Sequence, residues 1–147
     1  LLESKGIPYC RRSEFAMGNV ASEIPSCQVI LGDSMGEMFT YYAACDVALI
    51  GGSLLPLGGQ NLIEACAMGK PVLIGEHTFN FSEASEQAIA AGAALRVNEK
   101  DLAEKLSAII QNPVRQSEMG KAGLAFSQNA GGATKRLMQL IDRQLTH

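Results

Sequence analysis

Short apolar runs alternate along this chain with longer stretches of helical periodicity, and turn residues separate them. Val29-Ile30-Leu31, Val47-Ala48-Leu49-Ile50 and Val72-Leu73-Ile74 are continuous and apolar, the pattern of strands buried on both faces of a parallel sheet. Ile7 to Cys10 and Ala93 to Val97 are expected to add two short strands. Between strands, Met35, Met38, Phe39, Tyr42 and Ala43 recur at helical intervals behind Ser34 and Glu37, which have the spacing of a capping box. Gln60 to Met68 reads as a short helix closed by Gly69, with Pro71 beyond, and Phe81 to Ala91 as one stopped by Gly92.

From Glu99 onward the periodicity is helical throughout. Leu102, Leu106, Ile109 and Ile110 mark one face, and Pro113 opens a second helix with Met119, Ala122 and Phe126 inward. Asn129-Ala130-Gly131-Gly132 is expected to break the chain before a last helix carrying Leu137, Leu140 and Ile141. Arg12 to Pro25 has no periodicity and is expected to be a long, functional or mobile loop.

Strands alternating with helices predict an α/β fold, a parallel sheet with helices on both faces. Right-handed crossovers then bring every strand-to-helix loop to one edge of that sheet, the edge where open α/β sheets bind ligands. Asp33 to Gly36, Gly51 to Asn61 and Gly75 to Phe81 are the segments placed there.

Composition narrows the classes of function. At 147 residues the chain suits one domain with its own core. Twelve Lys and Arg stand against fifteen Asp and Glu, a net charge of −3, and the basic residues cluster only as the pairs Arg11-Arg12 and Lys135-Arg136. This argues against nucleic acid as a partner. Cys10, Cys27, Cys45 and Cys66 form no CxxC, and the last two fall in apolar helical patterns, as expected of buried thiols in a reducing compartment. With only His77 and His147 as histidines, no metal site is expected. No apolar stretch approaches the roughly 18 residues needed to span a bilayer, and no signal-peptide pattern is present. The start at Leu1-Leu2-Glu3, without Met, reads as a helix end within a longer protein.

The strongest local signal is Gly51-Gly52-Ser53 followed by Gly58-Gly59-Gln60-Asn61-Leu62-Ile63-Glu64. Glycines allow a sharp turn and close approach of the backbone to a ligand, and the unpaired N–H groups of a helix start favour phosphate. The same residues would also serve as a flexible connector. Glu64 lies three residues after Asn61 on an otherwise apolar helix, where a carboxylate needs hydrogen-bond donors. Ribose hydroxyls would supply them; stabilisation of the helix dipole is the alternative. No Gly-Lys-Ser/Thr follows, and the spacing is not GxGxxG, so neither a Walker loop nor a dinucleotide fingerprint is present.

Asp33-Ser34-Met35-Gly36-Glu37-Met38 reads either as a plain helix cap or as a second contact segment. Gly36 is the anomaly, because glycine costs up to about 1 kcal/mol inside a helix and its bare backbone would admit a base or sugar. Gly75 to Phe81 is the third loop; His77 has no relay partner in the sequence around it and is not expected to be catalytic. Arg12-Ser13 offers a guanidinium suited to phosphate or carboxylate.

Taken together with Pro71-Val72-Leu73-Ile74-Gly75 and His77-Thr78-Phe79-Asn80-Phe81, these segments resemble the bacterial 3-deoxy-D-manno-octulosonic acid (Kdo) transferases over nearly the whole chain, from about Arg12. The resemblance implies the C-terminal donor domain of a GT-B glycosyltransferase, Rossmann-like, with its partner N-terminal acceptor domain outside residues 1–147. It implies that Gly58, Gly59, Gln60 and Asn61 hold the phosphate of CMP-Kdo and that Glu64 holds the ribose. Met35, Gly36, Glu37 and Met38 would lie along the nucleotide, Ser53 would join the donor site, and Arg12 and Ser13 would face the donor's anionic groups.

The implied reaction transfers Kdo with inversion from CMP-Kdo to a lipid A precursor in lipopolysaccharide assembly. It requires no separate cofactor and no metal in the donor site, and it takes place at the cytoplasmic face of the inner membrane. Acceptor, membrane contact and the acidic catalytic base would belong to the N-terminal domain, so no catalytic residue is assigned in this chain, which alone is expected to be inactive. Gln60 stands where the family commonly has His, and Pro56-Leu57 where some members have a Glu-Arg pair. The alternatives are a GT-B enzyme using a UDP- or GDP-sugar, and a non-catalytic nucleotide-binding α/β module.

Overall fold

The structure, a computed structural model, describes residues 1–15 and 27–145, with the backbone alone given for 130–140 and 142–145. Residues 16–25 of the expected Arg12–Pro25 loop lie outside the described residues. The chain divides into two compact units, Leu1–Met38 and Phe39–His147.

The first unit holds strands β1 (Tyr9–Arg11) and β2 (Val29–Leu31), which pair in parallel with Cys10 opposite Ile30. A 3-10 turn, Arg12–Glu14, follows β1 directly, so the expected loop opens with ordered structure. The burial expected of Val29–Leu31 is not found: Ile30 is 50% and Leu31 40% exposed. Among the described residues β2 pairs with β1 alone, so the apolar run marks a strand without marking a central one.

The second unit begins with helix α1, which as an element spans Met38–Ala44, and continues with β3 (Ala48–Leu49), α2 (Ile63–Ala67), β4 (Val72–Ile74), α3 (Ser82–Ala90), β5 (Ala94–Arg96), α4 (Leu102–Ile110) and α5 (Pro113–Leu145). Its sheet has the order β3-β4-β5, all parallel, with Leu49 opposite Leu73 and Leu73 opposite Leu95. Because side chains alternate along a strand, the central strand β4 feeds two cores. Val72 and Ile74 pack with Ile50, Cys66, Ala88 and Phe126, while Leu73 packs with Val97, Ile109 and Met119. Helices therefore cover both faces, as the alternation predicts. Cys66 is buried, and that burial pushes its thiol up to about 11; Leu49, on the edge strand, remains 45% exposed.

Helix α2 is shorter than the Gln60–Met68 expectation and ends in a Schellman arrangement: the Gly69 amide donates to Cys66 O at 2.9 Å and the Lys70 amide to Ala65 O at 3.2 Å. Helix α5 packs closely on this end. A Cβ at Gly120 would lie 2.3 Å from Gly69 O, so glycine is required there, and one at Gly123 would sit tight at 3.2 Å from Cys66 O. The break expected at Asn129–Gly132 is absent, since α5 runs through it. Each glycine costs about 1 kcal/mol of helix propensity, which weakens a helix already propagating from Pro113 but does not oblige it to stop.

Candidate functional site

In unit 1 the structure brings together two segments that lie far apart in sequence. The Arg12 guanidinium donates from Nη2 to Glu37 Oε1 at 2.8 Å and from Nη1 to Phe15 O at 3.4 Å. Ser13 binds Asp33 twice, its amide to Oδ1 at 2.9 Å and its hydroxyl to Oδ2 at 2.7 Å, and Arg11 approaches the same carboxylate at 3.8 Å. The Ser13 hydroxyl and amide hold the Asp33 carboxyl below the usual carboxylate range, with Arg11 adding a smaller pull. The Ser34 hydroxyl donates to Glu37 Oε2, so Glu37 links Arg12 and Ser34.

The helix start expected at Ser34–Met38 is corrected here: α1 opens only at Met38. Gly36 has φ +79°, a left-handed conformation that residues with a Cβ rarely adopt. It turns the chain before the helix instead of occupying its first turn. Met35 is 97% exposed and Met38 51%, so apolar surface flanks this turn.

In unit 2, the loop between β3 and α2 turns at Gly58 and Gly59, with φ +90° and +73°. Its neck is closed by Gly59 N–H to Gly52 O and Gln60 N–H to Gly51 O, both 3.1 Å. These bonds occupy the amides of Gly59 and Gln60, while those of Asn61 and Leu62 have no partner among the described residues. Gln60 itself is exposed.

Asn61 makes an Asx turn just before α2: its Oδ1 accepts the Ile63 amide at 3.0 Å. Its Nδ2 donates to Glu64 Oε1 at 3.1 Å, which supplies one of the donors the half-buried Glu64 carboxylate needs. Tyr42 stands in the same neighbourhood; burial first, and the Glu64 charge second, raise its hydroxyl above the ordinary tyrosine value.

Ser53 lies beneath the glycine turn. Its side chain is fully buried, its hydroxyl donates to Ile50 O at 2.6 Å and accepts the Gly75 amide at 2.8 Å, so it has no surface to offer a ligand. It supports the loop from beneath. Asn80, with no local sequence signal of its own, lies against Gly58: its amide donates to Gly58 O at 3.1 Å and its Nδ2 to Leu57 O at 3.4 Å. Nothing in the local pattern marks it, because the contact joins two loops more than twenty residues apart.

His77 lines an open cavity of about 460 Å³ with Glu76, Phe79, Glu86 and Arg96. Arg96 is already engaged by Glu86 and by Gly75 O at 2.8 Å, and among the described residues no carboxylate hydrogen-bonds the His77 ring. Among the described residues no cluster of three or more His, Cys, Asp or Glu suits a metal ion, and no helix is long and apolar enough to cross a membrane.

Comparison with models of protein families finds no match. Among curated proteins, the chain is 45% identical over 142 residues to the 3-deoxy-D-manno-octulosonic acid transferase of Bordetella pertussis, covering 96% of this chain and 32% of that protein. It is 36% identical over 145 residues to the protein of the same name from Haemophilus influenzae, with 96% and 32% covered. The chain thus spans about a third of the length of the curated relatives it matches. Among solved structures, the C-terminal CMP-Kdo binding domain of WaaA from Acinetobacter baumannii superposes with a TM-score of 0.75 and 28% identity, over 86% of this chain and 64% of that one.

Proposed function

Because this chain belongs to the family of 3-deoxy-D-manno-octulosonic acid transferases, we propose that it is the donor-binding domain of such an enzyme and that its ligand is CMP-Kdo. The observation that carries this reading is the arrangement around Glu64. A half-buried carboxylate, braced through Oε1 by Asn61, follows five residues after a glycine turn that precedes two amides with no partner among the described residues. A nucleoside monophosphate suits both halves: the amides of Asn61 and Leu62 take phosphate oxygens, and Glu64 accepts hydrogen bonds from ribose hydroxyls. The likeness to a solved domain described as binding CMP-Kdo supports the same assignment.

Arg12 and Ser13, with the Met35–Met38 segment in the same first unit, are proposed to contact anionic groups, a proposal about that unit by itself. Arg12 can do so while paired with Glu37, since a guanidinium carries five N–H donors. Ser53 supports the glycine turn without touching the ligand, and Gln60 contributes a neutral amide.

The whole protein, on the same reading, transfers Kdo to a lipid A precursor at the cytoplasmic face of the inner membrane, with acceptor, membrane contact and catalytic base supplied from outside this chain. The transfer uses no separate cofactor and no metal in the donor site. Competition among nucleotides tests the donor assignment: CMP is expected to bind the chain and to outcompete UMP, UDP and GDP. Preference for a uridine or guanosine nucleotide would assign the domain to a different sugar donor.

A further inference from the structure

The glycine turn is built from residues with little conformational preference of their own. Gly52, Gly58 and Gly59 all have positive φ, and a segment of this kind loses more entropy on ordering than any other. Its shape must come from what it rests on. That support is the loop after β4, Gly75 to Phe81, and the two loops interlock at both ends of the turn.

At the base, the Ser53 hydroxyl bridges Ile50 O at 2.6 Å and the Gly75 amide at 2.8 Å, and Ser53 O accepts the His77 amide at 2.9 Å. A Cβ at Gly75 would lie 2.1 Å from Ser53 O, so the backbones touch there. At the tip, Gly58 O accepts the Asn80 amide at 3.1 Å and Leu57 O accepts Asn80 Nδ2 at 3.4 Å. A Cβ at Gly58 would lie 2.3 Å from that same Nδ2. The Asn80 side chain therefore fills the space that glycine leaves open.

We propose that Ser53 and Asn80 are positioning residues, which clasp the Gly58–Gly59 turn to the Gly75–Phe81 loop and hold the following amides in the arrangement that takes the donor's phosphate. This rests on the donor-site reading above. Ser53 is fully buried and acts only through the backbone it holds. Asn80 is exposed and acts through Leu57 and Gly58. Preorganised amides bind an anion without a further cost of ordering at the moment of binding, and that advantage is confined to the phosphate end of the nucleotide.

The confinement gives a readout that loss of overall stability would not mimic. The 147-residue chain and its Asn80→Ala and Ser53→Ala variants are titrated with CMP and with cytidine, which lacks the phosphate, and the fold of each is checked by circular dichroism and thermal melting. In Asn80→Ala, CMP affinity is expected to fall about three- to tenfold, the effect of one lost hydrogen bond, with cytidine affinity unchanged. Ser53→Ala is expected to change the ratio in the same direction and to melt lower, because the buried Gly75 amide and Ile50 carbonyl lose their partner. If that variant fails to fold, Asn80→Ala decides alone. A folded Asn80→Ala that keeps the parent's ratio of CMP to cytidine affinity would overturn the clasp. Failure of the unsubstituted chain to bind CMP would instead overturn the donor-site reading, and the clasp with it.

Discussion

Asn61 donates its side-chain amide to Glu64 Oε1 at 3.1 Å while its own carbonyl oxygen accepts the Ile63 amide at 3.0 Å. One side chain thus fixes the turn into α2 and braces the carboxylate that follows it. The two roles separate by substitution. Asn61→Ala removes both and is expected to cost about 0.5–1.5 kcal/mol of stability, the usual loss of a local hydrogen bond. Asn61→Asp keeps the oxygen that accepts the Ile63 amide but sets a second carboxylate against Glu64, so it should retain most of the stability and still lose CMP affinity. Urea denaturation paired with CMP titration measures both; equal behaviour of the two variants in both assays would refute the division.

Two glycines of the carboxyl edge should respond to alanine in opposite ways. At Gly75 the added Cβ meets the Ser53 carbonyl and the Leu54 nitrogen at 2.1–2.6 Å, whereas at Gly51 it meets nothing within 4 Å. Gly75→Ala is therefore expected to destabilise by about 1–3 kcal/mol or more, as overpacking against fixed atoms does. Gly51→Ala should stay within about 0.5 kcal/mol of the parent. Midpoints of urea unfolding check the contrast, and similar midpoints for the two variants would contradict the close approach at Gly75.

Acid should act on two carboxylates. The Asp33 carboxyl is held below its ordinary value by the Ser13 hydroxyl and amide, and the Asp101 carboxyl by Lys105 and then by the Asn98 amide. A carboxyl with a depressed folded value contributes stability above its unfolded pKa, about 3.9 for Asp, and loses it as pH falls through the folded value. Asp33→Asn and Asp101→Asn are therefore expected to be less stable than the parent at pH 7, with the difference shrinking below about pH 4. Unfolding followed from pH 7 to pH 2 tests this, and parallel curves for parent and variants would exclude it.

What the sequence made legible was the part set by local pattern. Val72–Ile74 is apolar, and β4 is central and buried on both faces. Val29–Leu31 looks the same in sequence but is partly exposed, because burial depends on which strand and layer cover it. Asn61 and Glu64, three residues apart, were paired from spacing alone. Ser13 with Asp33 and Arg12 with Glu37 are separated by 20 and 25 residues, beyond any local period. Ser34 and Glu37 do interact, yet the left-handed Gly36 places the helix start after them. Ser53 was visible as a hydroxyl in a glycine loop, while its inward direction was not.

The central claim, that Glu64 grips the ribose of a cytidine nucleotide, is tested most directly by a calorimetric double-mutant cycle. The parent chain and Glu64→Gln are each titrated with CMP and with 2′,3′-dideoxy-CMP, which lacks both ribose hydroxyls. A hydrogen bond to a charged group contributes roughly 1.5–3 kcal/mol, so Glu64→Gln should weaken CMP about ten- to a hundredfold. The dideoxy nucleotide, having already lost the contact, should bind parent and variant almost equally. A coupling energy indistinguishable from zero, with the variant folded and both ligands weakened together, would contradict the account and leave Glu64 a residue of helix stability only.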